Sequence, residues 1–362
     1  MIWNFLIPII KTLQLNGYTV ECASSKTGAY FDWLKEKHGL VMHCICFERN
    51  PFRLSNLKAY FDLKELIRKQ GYDIVFCHEP VGGAMGRLVG VKCGCKIIYM
   101  AHGFHFYKGC SKGKFLFYLV ERYLAKKTDY LITINQEDYE ASLKFNAKHN
   151  LKTNGIGIDL ARFQPFSEKH NLIYKELSLV KEDFVILSVG ELIKRKNHES
   201  LIQAVAGLHN DKIHYIIAGD GEMREYLNEL VRKLNITDNV HFLGYRQDIS
   251  QLCNSCDVFA LPSYQEGLSV ALMEAMACGK SAIVSRIRGN VDLIDNGKGG
   301  ILVETTDVEG YIQAIKRLMN NQFEREEYGK YNQVKVQDYS NEQVIPQLMS
   351  VFKDINGDET IE

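Results

Sequence analysis

The chain has 362 residues, of which 46% are apolar and 24% charged. This length is enough for about two domains, and the composition excludes a disordered or fibrous protein. No apolar run approaches the roughly 18 residues of a membrane-spanning helix, and the N-terminus lacks the features of a signal peptide. Ten cysteines in a chain this long do not resemble a secreted disulfide framework, so we expect a reducing cytoplasm.

The formal net charge is zero, but the two halves of the chain differ. Residues 1–160 carry 22 Lys and Arg against 14 Asp and Glu, which gives +8, and the remaining residues carry −8. This asymmetry predicts an anionic partner for the first half, such as a membrane surface, a phosphorylated acceptor or nucleic acid.

The first element is a predicted helix, because apolar residues recur at helical spacing from Ile2 to Leu13 and Gly17 follows at the position of a helix C-terminus. Doubly wound domains normally open with a strand and a tight turn that lead into such a helix. Without them, the strands predicted next to this position would face a gap in the sheet. We therefore expect the native gene to begin upstream, with a short hydrophobic strand and a turn.

Short runs rich in Val and Ile then alternate with amphipathic helical patterns along most of the chain. This alternation predicts the α/β class, with parallel sheets in two doubly wound, Rossmann-like domains that face a cleft. The strands are predicted at Tyr18–Ala23, Ile74–Cys77, Lys96–Met100, Tyr130–Ile134, Val185–Val189, Ile213–Ala218, Val240–Leu243, Val258–Leu261, Ser281–Val284 and Gly300–Val303.

A break in the pattern at residues 155–183 predicts the domain boundary. We expect one domain over 1–160, a second over 161–338, and a closing helix and tail over 339–362. The closing helix is predicted at Asn341–Ile355, where apolar residues form one stripe that would return to the N-terminal domain.

The segment 100–114 is the first along the chain that carries candidate functional residues. His102 follows a predicted strand and so lies at the carboxyl edge of a sheet, where α/β proteins bind ligands. The loop after it mixes aromatic and cationic side chains that are difficult to bury, and His78 ends another predicted strand as a weaker candidate. The residues of this group are His78, His102, Phe104, His105, Phe106, Lys108, Lys112 and Lys114.

The segment 188–204 places a basic turn between a strand and a helix. The strand ends at Gly190, and the turn carries Lys194, Arg195 and Lys196. Cations beside a helix N-terminus suit a phosphate group. The alternative is a solvated basic turn, which fits Lys194 better than Lys196.

The segment 262–279 carries two carboxylates eight residues apart, Glu266 in a loop and Glu274 in a helix that Ser269 would cap. Their separation of up to ~12 Å is a poor match to the ~5 Å pair of a retaining glycoside hydrolase. It suits one elongated ligand held at two points, with backbone N–H groups near Gly267 facing an anion. Alternatively, both carboxylates are solvated surface groups.

Two other patterns carry less weight. The sequence AGDGEM at 218–223 follows a strand, but Arg224 stands where a dinucleotide fingerprint needs its third glycine. Cys253 and Cys256 have no partner pair at zinc spacing, so we expect buried thiols.

Together these segments resemble the family-4 glycosyltransferases, retaining enzymes of the GT-B fold that use nucleotide sugars. The similarity extends over essentially the whole chain and includes AGDGEMREYL at 218–227, VHFLGYRQDI at 240–249 and GIGIDLARF at 155–163. HGFHFYKG at 102–109 looks like the subgroup that builds bacterial capsular and exopolysaccharide units on a lipid carrier.

The resemblance implies an acceptor-binding N-terminal domain and a nucleotide-sugar-binding C-terminal domain. It implies that Lys196 and the N–H groups of Gly267, Leu268 and Ser269 bind the donor diphosphate, with Gly190 and Arg195 beside them. Glu274 would hold the ribose and Glu266 the transferred sugar. The other implied roles belong to Tyr245 and Arg246, which would border the base, and to His102, which would lie near the reacting carbon.

The implied partners are a nucleotide sugar, most simply UDP-linked, a lipid-linked saccharide acceptor and an anionic membrane surface. The N-terminal half would face that membrane with His78, His105, Phe106, Lys108, Lys112 and Lys114, together with Phe104 and Phe117. No cofactor, divalent metal or nucleic acid is implied. The enzyme would then be cytoplasmic and peripheral at the inner face of the plasma membrane.

The chain departs from the family pattern in two places. The first strand of the family and its glycine-rich turn are absent, and Glu191 stands where many members have an arginine that contacts phosphate. Two alternatives follow from these departures and from the fold. The chain could be a non-hydrolysing sugar-nucleotide epimerase, or a non-catalytic protein that binds a nucleotide sugar or lipid. A nucleic-acid-binding protein is less well supported than these two, because no segment of the sequence resembles a recognition helix or a stacking platform.

Overall fold

The computed structural model describes residues 2–26, 30–48, 50–51, 53–166 and 172–357. Residues 167–171 of the predicted linker and 358–362 of the predicted tail lie outside the described residues. The chain divides into two compact units. Unit 1 consists of Met1–Gly157 and Asn341–Glu362, and unit 2 of Ile158–Ser340.

Unit 1 is an α/β unit whose strands all pair in parallel. Its strands are β1 Glu21–Ser24, β2 Val41–Cys44, β3 Ile74–His78, β4 Lys96–Ala101, β5 Tyr130–Thr133 and β6 His149–Lys152. Its helices before the boundary are α1 Ile7–Leu15, α2 Tyr30–His38, α3 Ser55–Gln70, α4 Pro80–Cys93, α5 Phe115–Ala125 and α6 Gln136–Ser142, with short helical turns at Ile2–Leu6 and Lys112–Lys114.

The strands of unit 1 form two groups, β1-β2 and β3-β4-β5-β6. Within the described ranges, β1 pairs with no strand other than β2, and β3 with none other than β4. The gap that the sequence predicts at this place is therefore present. The predicted opening helix is also present, with Ile9, Ile10 and Leu13 buried on one face of α1.

Unit 2 is a six-stranded parallel sheet in the order β12-β11-β10-β7-β8-β9. Its strands are β7 Phe184–Val189, β8 Ile213–Ala218, β9 Val240–Gly244, β10 Val258–Leu261, β11 Ser281–Ser285 and β12 Gly300–Val303. Its helices are α7 Leu172–Glu176, α8 His198–Leu208, α9 Arg224–Lys233, α10 Ile249–Ser255, α11 Val270–Ala277, α12 Asn290–Leu293, α13 Val308–Asn320 and α14 Gln322–Lys335, with short helical turns at Lys194–Lys196 and Val336–Tyr339.

The last helix, α15 (Asn341–Asn356), belongs to unit 1 and packs against α1. The Phe352 ring meets Tyr18 and Phe76 edge-on, with centroid distances of 5.8 and 5.4 Å. The Tyr130 hydroxyl donates a hydrogen bond to Asp354. The helix that the sequence predicts to return to the N-terminal domain therefore completes the core of unit 1.

Candidate functional site

The strand order of unit 2 places a topological switch point between β7 and β10, which are neighbours although their connections run in opposite directions along the sheet. Ligands of open α/β sheets bind at the carboxyl ends of the strands at such a point. Gly190 follows β7 there, and a Cβ at this position would lie 3.1 Å from Lys196 Cε. Glycine thus leaves room for the Lys196 side chain at the end of the strand.

The centre of this site is the Glu266 carboxylate, which is buried and lies within the loop between β10 and α11. Lys196 Nζ donates a hydrogen bond to Glu266 Oε1 at 2.9 Å, and Arg195 Nη1 lies 3.0 Å from Oε2. Burial acts to raise the pKa of Glu266, but the charges of Lys196 and Arg195 outweigh it and hold the pKa below its usual value. Glu266 is therefore ionised and not a solvated surface group.

Arg288 is a further basic residue at this place that sequence reasoning missed. Its side chain is buried, and its Nε donates a hydrogen bond to the Glu266 carbonyl at 3.2 Å. The next residue, Gly289, has φ +80°, and a Cβ there would lie 2.3 Å from the Gly267 carbonyl oxygen. The only signal in the sequence is the pair Arg288–Gly289 after a predicted strand, which is too common to single out.

Gly267, Leu268 and Ser269 lead into helix α11. The Ser269 hydroxyl accepts a hydrogen bond from the Leu272 N–H at 3.3 Å, so its side chain caps the helix as the sequence predicts. The N–H groups at this helix start carry the positive end of the helix dipole. They follow Glu266 directly in the chain.

Glu274 lies half-buried within α11. Burial raises the pKa of its carboxyl to about 7, and the charge of Arg162 in the segment 155–163 acts in the opposite direction. Carboxyl groups whose pKa is shifted in this way are common in binding sites.

The two residues expected near the base differ in their surroundings. Tyr245 is 66% exposed. Arg246 is held by two carboxylates, with Nη1 2.8 Å from Glu176 Oε1 and Nη2 2.7 Å from Asp248 Oδ2. The Arg246 guanidinium thus braces the loop after β9 through α7, whereas the Tyr245 side chain beside it is mostly on the surface.

Unit 1 brings together two of the predicted residues, His78 at the end of β3 and His102 directly after β4. His78 Nδ1 lies 3.0 Å from His102 Nε2. Burial lowers the pKa of His102 to about 4, and burial together with the charge of His102 lowers the pKa of His78 well below its usual value. Both imidazoles are therefore neutral at neutral pH.

The prediction that the aromatic residues after His102 face outward is wrong for Phe104 and Phe106. Both are buried, with their rings stacked at 4.8 Å and packed against Phe145. The Phe104 N–H donates to the buried carboxylate of Asp138, which anchors the loop to α6. A ring that completes the core of unit 1 cannot also enter a membrane.

The polar residues of this loop remain on the surface. His105, Lys108 and Lys112 are exposed, whereas Lys114 is half-buried and lies 4.4 Å from the centre of the Tyr107 ring. The Phe117 ring is half-buried and lies 5.0 Å from the ring of His105. Lys108 and Lys112 are therefore on the surface as predicted, although most of the aromatic side chains beside them are not.

Helix α5 instead exposes a contiguous set of large apolar side chains, which we call the α5 apolar face. Its members recur at helical spacing and are 42–59% exposed: Phe115, Leu116, Leu119, Val120 and Tyr123. Sequence reasoning missed this face because α5 is apolar on nearly all sides, and periodicity then cannot tell an inner face from an outer one. Within the described part of the chain, no helix has both the length and the apolarity to cross a bilayer.

The sequence AGDGEM at 218–223 and the cysteine pair Cys253 and Cys256 both have structural roles. The segment 218–223 is a tight connection between β8 and α9, in which a Cβ on Gly219 would lie 1.8 Å from the Gly190 carbonyl oxygen. Cys253 and Cys256 are buried free thiols, as predicted. In the described ranges, no group of three or more His, Cys, Asp and Glu side chains is arranged to hold a metal ion.

Comparison with protein families gives two matches that together cover most of the chain. The family described as "Glycosyl transferases group 1" matches residues 171–335, and the one described as "Glycosyl transferase 4-like" matches residues 2–135. These matches agree with the resemblance stated from the sequence.

Two relatives have similarity over most of their length. EpsD of Bacillus subtilis (strain 168), named as a glycosyltransferase, is 35% identical over 324 residues, which are 87% of this chain and 83% of EpsD. An Escherichia coli protein named UDP-Gal:alpha-D-GlcNAc-diphosphoundecaprenol alpha-1,3-galactosyltransferase is 30% identical over 324 residues, 86% of this chain and 82% of the relative.

Among solved structures, Anabaena HepE in complex with UDP and glucose has a TM-score of 0.82 at 20% identity, covering 96% of this chain and 95% of HepE. This likeness, together with the two α/β units, confirms the predicted GT-B fold.

Proposed function

The chain belongs to the group 1 glycosyl transferases, and from this premise we propose that it moves a sugar from a UDP-sugar to a lipid-linked saccharide with retention of the anomeric configuration. The observation that carries the proposal is the buried Glu266 carboxylate with its two cations at the switch point of unit 2. The name of the E. coli relative gives a UDP-sugar and a diphosphoundecaprenol-linked acceptor, and HepE binds UDP and glucose. The product would be a unit of a bacterial capsular or exopolysaccharide.

In this proposal the donor diphosphate binds beside Lys196 and Arg195, with the N–H groups of Gly267, Leu268 and Ser269 on its other side. The negative charge on the diphosphate grows as the bond to the sugar breaks, and fixed cations and helix dipoles stabilise it without reorganisation. On the strength of these groups, we propose that the reaction needs no divalent metal.

The surroundings of Glu266 also bear on the anomeric configuration of the product. A carboxylate held by two cations and of lowered pKa is a weak nucleophile, which disfavours a covalent sugar–enzyme intermediate. Glu266 would instead accept hydrogen bonds from hydroxyls of the transferred sugar. The acceptor hydroxyl would then attack from the same face that the diphosphate leaves, which retains the configuration.

The remaining donor contacts follow the elements of unit 2. Glu274 would accept hydrogen bonds from the two ribose hydroxyls, and Tyr245 would border the base. In unit 1, His102 would lie close to the reacting sugar, because it stands at the carboxyl end of β4, where a parallel sheet binds ligands.

We also propose that unit 1 binds the anionic inner leaflet of the plasma membrane, where a lipid-linked acceptor resides. The support is the α5 apolar face and the charge around it. Between residues 108 and 128 the chain has six Lys and Arg and a single carboxylate, Glu121, which is buried against Arg87. Cations that flank an exposed apolar helix face match an anionic bilayer.

The test of the catalytic proposal is transfer of sugar from a panel of UDP-sugars to lipid-linked acceptors in EDTA, with the anomeric configuration read by NMR. Lys196→Ala should lower kcat about 10²–10³-fold, because it removes a transition-state contact. Lys194→Ala is the matched control, since Lys194 is an exposed cation two residues away and should leave kcat unchanged.

Three results would contradict the proposal: an inverted product, a strict requirement for added divalent metal, or an unchanged rate in Lys196→Ala at saturating donor. Epimerised nucleotide sugar formed from donor alone would favour the epimerase instead.

A further inference from the structure

The pair His78 and His102 contains a contact that the proposed reaction does not yet use. Strands β3 and β4 are parallel neighbours, with His78 opposite Met100 in the register. Their carboxyl ends therefore lie side by side and bring the two imidazoles into contact, with His78 Nδ1 3.0 Å from His102 Nε2 and ring centroids 5.3 Å apart. This distance is that of a hydrogen bond.

The backbone and the packing around His78 fix its position. Directly after it, Glu79 has φ +62° and ψ +155°, a conformation that non-glycine residues rarely adopt. The Glu79 carbonyl accepts a hydrogen bond from the Gly83 N–H at 2.7 Å, so the first turn of α4 holds this conformation. The His78 ring also packs against the Phe76 ring, with 4.2 Å between the two ring centroids.

The contact also couples the proton positions of the two rings, because only one of the two facing nitrogens can carry the proton of the hydrogen bond. Each neutral imidazole has one N–H and one nitrogen lone pair, and the hydrogen bond that one nitrogen makes decides which nitrogen carries the proton. The Nε2–H form is the intrinsically preferred tautomer of a neutral imidazole. When both rings adopt it, His102 Nε2–H donates to the lone pair of His78 Nδ1, and His102 Nδ1 keeps its own lone pair.

We propose that His78 is a positioning residue that fixes the tautomer of His102, so that His102 Nδ1 is held as a hydrogen-bond acceptor for a hydroxyl of the substrate. This inference rests on the proposed function, which places His102 beside the reacting sugar. In the other tautomer, His102 would present an N–H group to that hydroxyl from Nδ1 and could not accept its proton in a hydrogen bond.

The test uses three variants at His78 and one at His102, all in the full chain. The amide oxygen of Asn lies near the position of an imidazole Nδ1, whereas that of Gln lies near the position of Nε2. His78→Asn can therefore still accept from His102 Nε2–H, while His78→Gln and His78→Phe cannot. Thermal unfolding of each variant shows whether it is folded.

Two readouts are combined. The ¹⁵N shifts of labelled histidine, assigned with His102→Gln, report the tautomer of His102 without substrate, and the transfer assay reports kcat/KM. We expect an Nε2–H His102 in the parent and in His78→Asn, and a mixture of tautomers in His78→Phe. Losing the residue that orients a metal-ligating histidine costs about 10–100-fold in metal affinity or activity. We expect a loss of the same size here, so kcat/KM should fall about 10–100-fold in His78→Gln and His78→Phe and be largely kept in His78→Asn.

An Nδ1–H His102 in the parent, or a His102 signal that is the same in His78→Phe, would overturn the inference whatever the activity. Equal loss of activity in folded Asn and Gln variants would overturn it as well. If the tautomers behave as expected but His102→Gln transfers sugar at the parent rate, the proposed role of His102 is wrong, while the control of its tautomer by His78 stands.

Discussion

At the scale of single residues, the carboxyl of Glu274 gives the donor site a pH dependence. Its pKa is raised to about 7, so it is mostly neutral at pH 6 and mostly ionised at pH 8. If the ionised form holds the ribose hydroxyls, the affinity for a UDP-sugar should fall about tenfold between pH 8 and pH 6. Isothermal titration calorimetry with the intact nucleotide sugar measures this, since its diphosphate does not titrate in that range.

Glu274→Gln is the control for this prediction, because the amide has nearly the same shape and does not titrate. Its affinity should be low and independent of pH. Since burial favours the neutral carboxyl, ionising Glu274 destabilises the fold as the pH rises above the ordinary value of about 4.5 and through 7. Glu274→Gln should therefore raise the Tm at pH 8 and change it little at pH 5. An affinity of the parent that does not vary with pH would contradict the ribose assignment.

The sequence predicted where most individual site residues stand, but not what they contact. Lys196, Glu266 and His102 follow strands, and the carboxyl edge of a parallel sheet is predictable from the alternation of strands and helices. That Glu266 contacts both Lys196 and Arg195 depends on β7 and β10 being neighbours, and strand order is not written in local sequence. Phe106 was misplaced because nothing near it in sequence shows that Phe104 and Phe145 cover it.

At the scale of elements, helix α5 presents its apolar face outward because a buried ion pair fixes its rotation. Arg87 on α4 is fully buried, donates to both oxygens of Glu121 on α5 at 2.8 and 3.1 Å, and stacks 3.8 Å from the centre of the Tyr99 ring. Rotating α5 to bury its apolar face would separate these charges in a medium of low dielectric, which is costly.

We therefore expect the double variant Leu116→Glu, Leu119→Glu to lose most of its binding to anionic vesicles, at least tenfold in partition coefficient. The two changes remove apolar contact with the bilayer and add repelling charges. Lys112→Gln should lower binding about fivefold, since one lysine near an anionic surface contributes ~1 kcal/mol. Sedimentation with phosphatidylglycerol-containing vesicles measures both.

Phe323→Glu on α14 is the matched control, because Phe323 is a large, exposed apolar residue of unit 2. It should bind vesicles as the parent does. Equal binding to neutral and anionic vesicles, or an equal loss in Phe323→Glu, would contradict the assignment of the membrane to the α5 apolar face.

Among the elements, the two strands missed from the sequence are short edge strands. Strand β2 (Val41–Cys44) and strand β6 (His149–Lys152) lie at edges of their groups and have few fully buried side chains. Edge strands are stabilised mainly by backbone hydrogen bonds to one neighbour, which local composition does not reveal. The central strands β4 and β7 are almost wholly buried, and their apolar runs identified them readily.

At the scale of the whole molecule, α15 gives unit 1 part of its core from the far end of the chain. Phe352→Ala should destabilise unit 1 by about 3–5 kcal/mol, because it leaves a cavity between Tyr18 and Phe76. Hydrogen exchange should show lost protection in β3 and α1, while UDP binding by unit 2 persists. As a control, Lys353→Ala at the exposed neighbouring position should change neither the stability of unit 1 nor its hydrogen-exchange protection. Loss of protection in β7 and β8 to the same extent would show that the two units unfold together.

Because of α15, the two units are not completed in the order in which their synthesis begins. The ribosome makes the first 157 residues of unit 1, then all of unit 2, and only then α15. Unit 2 is continuous in sequence and has its full set of contacts as soon as Ser340 has left the exit tunnel. Unit 1 must wait, with Tyr18 and Phe76 lacking their partner, until α15 has followed Ser340 out of the ribosome. Of the two units, the one whose synthesis starts earlier is thus the one that can finish folding later.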